Sequence, residues 1–316
     1  MTRPKLGQHF LLDPRFRQRI VAALAFRPDD LVCEIGAGRG AMTGLLAARA
    51  REVVALEIDP DLVQTLRQKY ADVSNIEVLE ADVLETHLAG ICERYRLEQS
   101  SLPAGRQAPG DDENGAPTDV ARASRPRSRE RSAHGQDAQA TTGETPALRF
   151  SEQCYVFGNL PYYITSPILH HLLGQAACIK GMGFVVQREV AERLTALPGS
   201  RSYGYLTVLA QSAATPRLEF GIPPGAFSPS PQVDSALLTF EMKSDRLPAD
   251  DRKALLEFVK RCFARKRKNL LNNLQPVYAR RRVEAELAAL GLPFTIRAEQ
   301  LPYEQFRELH GRLDDG

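Results

Sequence analysis

Leu31-Val32-Cys33-Glu34-Ile35-Gly36-Ala37-Gly38-Arg39-Gly40 reads as a short apolar strand running straight into a turn of alternating glycines, with a helix after it over about 41–50. Glycine at every second position lets the chain reverse sharply and lets a ligand come close to the backbone, because no side chain stands in the way. The residues beyond repeat the strand–helix pattern. A second strand over 52–58 delivers Glu57 and Asp59, roughly twenty residues past the glycines, where an acid can accept hydrogen bonds from both hydroxyls of a ribose. A helix over 61–70 and a third strand over 76–79 follow, the latter ending in Glu80-Ala81-Asp82. In an open parallel sheet the carboxyl ends of the strands line one crevice, so Gly36, Glu57 and Asp82 are expected to converge.

The glycines alone leave two ligands open, since Gly36-x-Gly38-x-x-Ala41 also satisfies the dinucleotide fingerprint in its alanine-ended form. Two features favour S-adenosylmethionine over a nicotinamide. Gly40 extends the run to GxGxG, and Asp82 is placed for an adenine amino group. A third lies further on, where the apolar strand 154–157 leads into Gly158-Asn159-Leu160-Pro161-Tyr162-Tyr163. Asn159 offers an acceptor oxygen, the Leu160 carbonyl a second, and Tyr162 a flat face. Together they suit a planar group carrying an NH2, as adenine or cytosine presents, and hydride transfer has no use for them. A second proline-stiffened loop, Phe227-Ser228-Pro229-Ser230-Pro231-Gln232-Val233-Asp234-Ser235, has few accessible conformations and can present Phe227 to the same crevice.

Outside these motifs the sequence mostly excludes. The chain has 316 residues and 43% hydrophobic content, enough for one large α/β unit and a smaller one. No run of about 18 apolar residues occurs and the N-terminus lacks the apolar core of a signal peptide, so cytoplasmic residence without a membrane partner is expected. Five scattered cysteines without a CxxC pair and six dispersed histidines imply neither a disulfide framework nor a metal. Residues 97–148 are rich in Ala, Gly, Pro, Ser, Thr, Gln and Arg and are expected to form a disordered surface insertion, much longer than the roughly 2–6 residues usual for loops in α/β units.

After a helix over 165–173, a strand over 183–187 and a helix over 188–196 comes an apolar segment, 205–210, and then strands over 216–220 and 235–241. From about 247 the pattern is helical: 250–263, 265–274, 281–290 and 302–313. Over 246–316 there are 15 Lys plus Arg against 10 Asp plus Glu, a difference of +5 where the whole chain carries +2. Lys260 to Arg282 contains no acid at all, which fits a polyanionic partner such as nucleic acid.

Gly7-Gln8-His9-Phe10-Leu11, Glu34-Ile-Gly-Ala-Gly-Arg-Gly40, Glu57, Asp82, Asn159-Leu-Pro-Tyr162 and Phe227-x-Pro-x-Pro-x-Val-x-Ser235 occur in the order found in the ribosomal RNA adenine dimethyltransferase family. The chain resembles that family over essentially its whole length apart from the insertion, and the basic tail Ala264-Arg-Lys-Arg-Lys-Asn-Leu-Leu-Asn-Asn-Leu274 is similar too. The resemblance implies an α/β fold: a Rossmann-like S-adenosylmethionine-dependent methyltransferase sheet (1–245) with a small C-terminal α-helical RNA-binding domain (246–316). It implies a monomer acting on the immature small ribosomal subunit, where two adjacent adenines in a hairpin loop near the 3′ end of the small-subunit rRNA are each dimethylated on N6. Carried over by position, cofactor contacts fall on His9, Leu11, Gly36, Glu57, Asp82 and Asn159, and acceptor contacts on Asn159, Leu160, Tyr162 and Phe227. The RNA contacts expected on the basic tail are Arg265, Lys266, Arg267 and Lys268. The family usually carries Asn where this chain has His9, a bulkier and titratable side chain.

Three other readings share parts of this pattern. A large-subunit rRNA methylase of the erythromycin-resistance type differs mainly in target, and the Phe-x-Pro-x-Pro loop and helical tail favour the small-subunit family. A DNA adenine methylase more often shows Pro in place of Leu160. A non-catalytic ribosome-assembly or transcription-factor paralogue is disfavoured by the joint retention of Glu57, Asp82, Asn159 and Tyr162.

Overall fold

The computed structural model describes residues 9–100 and 153–314. Gly7, Gln8 and the stretch from 101 to 148 of the expected insertion lie outside the described residues.

The described chain begins with β1 (Phe10–Leu11) and α1 (Pro14–Ala23). Asp13 starts the helix: its side chain accepts from the Arg15 backbone N–H at 2.9 Å, and Pro14 at the first helical position has no N–H to leave unpaired. The expected helix over 14–25 stops at Ala23, where extended Leu24 turns into the core. The units β2 (Leu31–Ile35), α2 (Thr43–Ala47), β3 (Glu52–Glu57), α3 (Pro60–Lys69) and β4 (Ile76–Glu80) follow at the expected places. Then come α4 (Leu88–Ser100), β5 (Cys154–Asn159), α5 (Thr165–Gly174), β6 (Ile179–Gln187) and α6 (Arg188–Leu194). The helix α4 corrects the expected insertion at its start, because residues 97–100 complete a helix rather than begin a loop.

After these, α7 (Tyr205–Gln211) precedes β7 (Ala214–Ile222), β8 (Phe227–Ser228) and β9 (Ser235–Met242). The apolar segment 205–210, left without a type in sequence, is thus a helix. Short apolar runs look alike in strand and buried helix, and the Thr207 hydroxyl decides here by accepting from the Gly204 N–H at 3.2 Å.

Among the described residues seven strands form one sheet in the order β4-β3-β2-β5-β6-β9-β7. The strands from β4 to β6 run parallel, and β9 pairs antiparallel with both β6 and β7. All of β2 is buried and nearly all of β3 and β5, as expected for parallel strands covered on both faces. Edge strand β7 is mostly exposed between its buried ends, Ala214 and Ile222, and tolerates Pro216, whose missing N–H costs nothing at an edge. The order reverses between β2 and β5, because β2 leads outward to β3 while the chain later returns on its other side. That switch point is where an α/β sheet opens a crevice.

The last helices are α8 (Ala249–Cys262), α9 (Leu270–Leu274), α10 (Arg280–Ala289) and α11 (Tyr303–Asp314). They enclose a second core of Leu255, Phe258, Leu270, Leu274, Leu287 and Phe306, to which Ala196, Tyr203 and Val208 contribute from the sheet side. The expected helix over 265–274 is corrected to begin at Leu270. Asn269 is extended and its side chain accepts from Asn272 N–H at 3.0 Å, so the helix cannot start earlier and Arg265–Lys268 form an exposed turn. Buried Arg252 of α8 donates to the carbonyl of Leu173 at 2.9 Å, tying the helical region to the last turn of α5.

Candidate active site

The glycine turn after β2 is shaped by backbone strain that only glycine relieves. Gly36, Gly38 and Gly40 all have positive φ, at 67°, 58° and 71°. A Cβ on Gly40 would meet Tyr70 at 2.8 Å and Leu66 at 2.9 Å, and one on Gly38 would meet Phe10 at 3.0 Å. On Gly36 it would meet nothing within 4 Å, which leaves that backbone bare toward the cavity. The turn is held from behind by the Tyr70 hydroxyl and Lys69 Nζ, each donating to the Gly40 carbonyl at 2.9 Å.

Glu57, at the end of β3, holds the turn from its other side. One carboxylate oxygen accepts from Gly38 N–H at 2.7 Å, and the other from Ile58 and Asp59 N–H at 3.0 and 3.1 Å. Asp82, beyond β4, uses Oδ1 to accept from Leu84 N–H at 2.8 Å. Beside these, β5 runs parallel to β2 with Gly158 opposite Ile35, which brings Asn159 next to the glycine turn. A side chain on Gly158 would strike the Ile35 carbonyl at 3.0 Å and Leu160 at 2.9 Å, so the close approach of the two strands depends on it.

The N-terminal strap closes the crevice. Its strand β1 pairs antiparallel with β8, Leu11 opposite Phe227, and Leu12 N–H donates to the Ala226 carbonyl at 2.8 Å. Asn159 Nδ2 donates to the His9 carbonyl at 2.8 Å, the His9 ring stacks on Tyr162 at 5.5 Å, and His9 Nδ1 donates to the Pro229 carbonyl at 2.7 Å. That last bond requires a proton on Nδ1, because a carbonyl only accepts. The Tyr162 hydroxyl is 2.6 Å from buried Ser235 Oγ. The Leu160 side chain is buried and its N–H donates to the Val185 carbonyl, so the Asn-Leu-Pro-Tyr turn is anchored at each residue.

One cavity is therefore lined by His9, Leu11, Gly36, Glu57, Asp82 and Asn159, with Leu160 and Tyr162 beside them. Phe227 is not on its wall. The expectation that this ring is presented to the crevice is corrected: Phe227 is 5% exposed and packs with Leu11, Ile222, Ala226 and Leu237. The pairing of β1 with β8 carries it into the core. The exposed turn of Arg265, Lys266, Arg267 and Lys268 also lies outside the cavity lining.

A family model described as ribosomal RNA adenine dimethylase matches residues 1–315. The chain belongs to the ribosomal RNA adenine dimethylase family. It is 36% identical to the ribosomal RNA small subunit methyltransferase A of Koribacter versatilis over 99% of this chain and 94% of that protein. The protein of the same name from Acidobacterium capsulatum is 35% identical over 99% and 92%. Among solved structures, the 23S rRNA methyltransferase ErmE is similar with a TM-score of 0.62 and 27% identity, covering 96% of this chain and 99% of that one. A dimethyladenosine transferase from Plasmodium falciparum, 20% identical, shares the fold with a TM-score of 0.66 over 95% and 96% of the two chains.

As a member of this family the chain is an S-adenosylmethionine-dependent methyltransferase, and its cavity fits that cofactor. The bare Gly36 backbone and the carboxylates of Glu57 and Asp82 form a wall suited to a cationic nucleoside. Among the described residues no cluster of His, Cys, Asp or Glu could hold a metal ion, and no helix is long and apolar enough to cross a membrane.

A further carboxyl on this wall went unassigned in the sequence. Glu34 is 3% exposed and accepts from the Thr43 hydroxyl at 2.6 Å. Burial pushes it up from its ordinary 4.5 to about 8; the Thr43 bond and Lys69 oppose this, and the Glu57 charge adds to it. Between pH 4.5 and about 8 the folded protein thus binds a proton there that the unfolded chain has lost. Stability contributed by this group is full below pH 4.5 and falls as pH rises toward about 8. Glu34→Gln, which has no charge to bury, is expected to gain stability relative to wild type between pH 5 and 8, by a few kcal/mol. Urea unfolding of both proteins at several pH values measures this, and a difference independent of pH would contradict it. Lys69 and Tyr70 were likewise missed, for each acts on the turn from α3, a distant segment with no motif of its own.

Proposed function

We propose that this protein transfers methyl groups to N6 of two adjacent adenines in a 3′-terminal hairpin loop of small-subunit rRNA, leaving each dimethylated. On this reading it acts as a cytoplasmic monomer on the immature small subunit. The observation that carries the reading is the orientation of Asn159. With Nδ2 committed to the His9 carbonyl, Oδ1 is left as the acceptor, at the edge of the cofactor cavity. The relatives at 36% and 35% identity, both small-subunit methyltransferases by name, support the choice of subunit.

The chemistry follows from the acceptor. The N6 lone pair of adenine is delocalised into the ring, so the amine is a poor nucleophile. Hydrogen bonds from N6–H to Asn159 Oδ1 and the Leu160 carbonyl favour pyramidalisation and aim the lone pair. Tyr162, held by Ser235 and His9, offers its ring to the extruded base. Burial raises the pKa of its phenol, so the ring stays neutral. S-adenosylmethionine supplies an already activated methyl group, and the protein's contribution is positioning and electrostatics. An unpaired loop base suits this arrangement, since it costs least to extrude.

The test is methyl transfer from labelled S-adenosylmethionine to immature small and large subunits, with the modified nucleotides mapped. Label confined to two adjacent adenines of the small-subunit rRNA is expected. Label only on large-subunit RNA would favour the alternative that resembles ErmE, and no label would favour a non-catalytic assembly factor.

The same reading makes the exposed turn Arg265–Lys268 part of the RNA surface. Neutralising Lys266, Arg267 and Lys268 together is expected to weaken subunit binding and flatten its salt dependence, by about 0.7–0.9 in the log–log slope for each phosphate that is no longer neutralised. A salt titration of binding measures this. An unchanged slope would place the RNA elsewhere.

A further inference from the structure

Tyr163 is the residue that the acceptor motif leaves unexplained. Around it every neighbour is pinned. Leu160 is 1% exposed, the Pro161 carbonyl accepts from Ile164 N–H at 3.1 Å and from the Thr165 hydroxyl at 3.2 Å, and Tyr162 is held by Ser235 and His9. Yet Tyr163 itself is 62% exposed while still forming part of the cavity wall. Among the described residues no hydrogen bond or ring contact is made by it. The pinned turn fixes the backbone from which the ring projects.

Two more large apolar side chains stand in the open on the segments that frame the clamp. Leu12, 53% exposed, follows the β1 strap whose backbone is tied to Ala226 and Phe227. Val233, 45% exposed, lies in the proline loop between Pro229, bonded to His9, and Ser235, bonded to Tyr162. Neither lines the cavity; each lies on a segment bonded to its wall, Leu12 next to cavity-lining Leu11 and Val233 between the residues bonded to His9 and Tyr162. Among the described residues the cavity wall carries one cation, Arg39, whose guanidinium lies over the Phe10 ring at 4.9 Å, alongside the carboxyls of Glu34, Glu57 and Asp82. An exposed aromatic ring at the edge of such a cavity suits a flat, uncharged group such as a nucleobase.

We propose that Tyr163 is the stacking platform for the unpaired base next to the adenine held by Asn159 and Tyr162. This rests on the reading of the cavity as an adenine N6-methylation site in RNA. The occupant follows from continuity, because whatever lies on Tyr163 adjoins the group in the cavity, and the covalent neighbour of an extruded nucleotide is the next nucleotide. Where two adjacent adenines are both substrates, the platform holds one while the other reacts.

The test uses the full chain, Tyr163→Ala and Tyr163→Phe. With immature small subunits and labelled S-adenosylmethionine, the alanine variant is expected to raise KM about tenfold, the lower part of the range for losing one stacked base. The phenylalanine variant is expected to restore it, and calorimetry is expected to give all three the same affinity for S-adenosylmethionine. A single-stranded RNA oligonucleotide carrying 2-aminopurine beside the adenine supplies a direct readout. Its fluorescence is expected to be quenched by wild type and Tyr163→Phe and not by Tyr163→Ala. Wild-type KM and quenching in the alanine variant would overturn the proposal, as would an equal loss in the phenylalanine variant. A raised KM on subunits with quenching intact would overturn it in favour of a ribosomal protein contact. Failure of wild type itself to methylate the subunits would instead reject the functional reading, while absence of quenching by wild type would reject the platform.

Discussion

Asn159→Ala is expected to lower methyl transfer to immature small subunits by at least about a hundredfold, the usual cost of removing one preorganised hydrogen-bonding group from a reacting centre. The fold should survive. The side chain gives up one hydrogen bond of its own, Nδ2 to the His9 carbonyl at 2.8 Å, worth about 0.5–1.5 kcal/mol. Its backbone stays in β5, paired with Val185 of β6. Single-turnover transfer from labelled S-adenosylmethionine, with urea unfolding as the control for fold, separates the two effects. Turnover within a few-fold of wild type would show that Oδ1 does not hold the amine. Loss of cofactor binding as well would show that the bond to the His9 strap, rather than the free oxygen, is the residue's main contribution.

Glu57→Gln is expected to abolish measurable cofactor binding and to destabilise the protein at once, a pairing that an exposed ribose ligand would not produce. The carboxylate is 2% exposed and accepts from three backbone N–H groups, those of Gly38, Ile58 and Asp59. A glutamine of the same shape can accept at only one of its two termini, so at least one N–H faces another donor. Each buried donor left unpaired costs about 1–3 kcal/mol. The glycine turn, held in positive φ, is the part that yields. Calorimetric titration with S-adenosylmethionine and urea unfolding measure the two losses. Full stability with binding lost would mean that Glu57 serves the ligand alone, and near-normal binding would remove it from the site.

Much of the site was legible because its residues sit where local rules put them. Gly36, Glu57, Asp82 and Asn159 each follow an apolar strand, and strand ends on one edge of a parallel sheet must meet. The boundaries of β2 could be read to the residue, since an apolar run ending in glycine admits little else. Phe227 could not be read in this way. A proline-flanked aromatic is equally consistent with a presented ring and a buried one, and the choice was made by Leu11, more than two hundred positions earlier in the chain, pairing opposite it. The turn at Arg265–Lys268 failed for a different reason. Four basic residues are good helix formers, and the Asn269 cap that stops them is recognisable only once Leu270 and Leu271 are seen to enter the second core.

Sequence alone determined the strand–glycine–helix opening, the carboxylates at the strand ends and the amide of Asn159, because these depend on backbone conformation and side-chain chemistry within a few residues. Tertiary structure alone decided that Glu57 clamps the glycine turn, that burial raises the pKa of Glu34, and that the His9 carbonyl fixes which end of the Asn159 amide faces the cavity. Those properties belong to pairs of groups far apart in the chain. A hydrogen bond or a desolvated charge has no value until folding brings its partner, or its lack of water, into place.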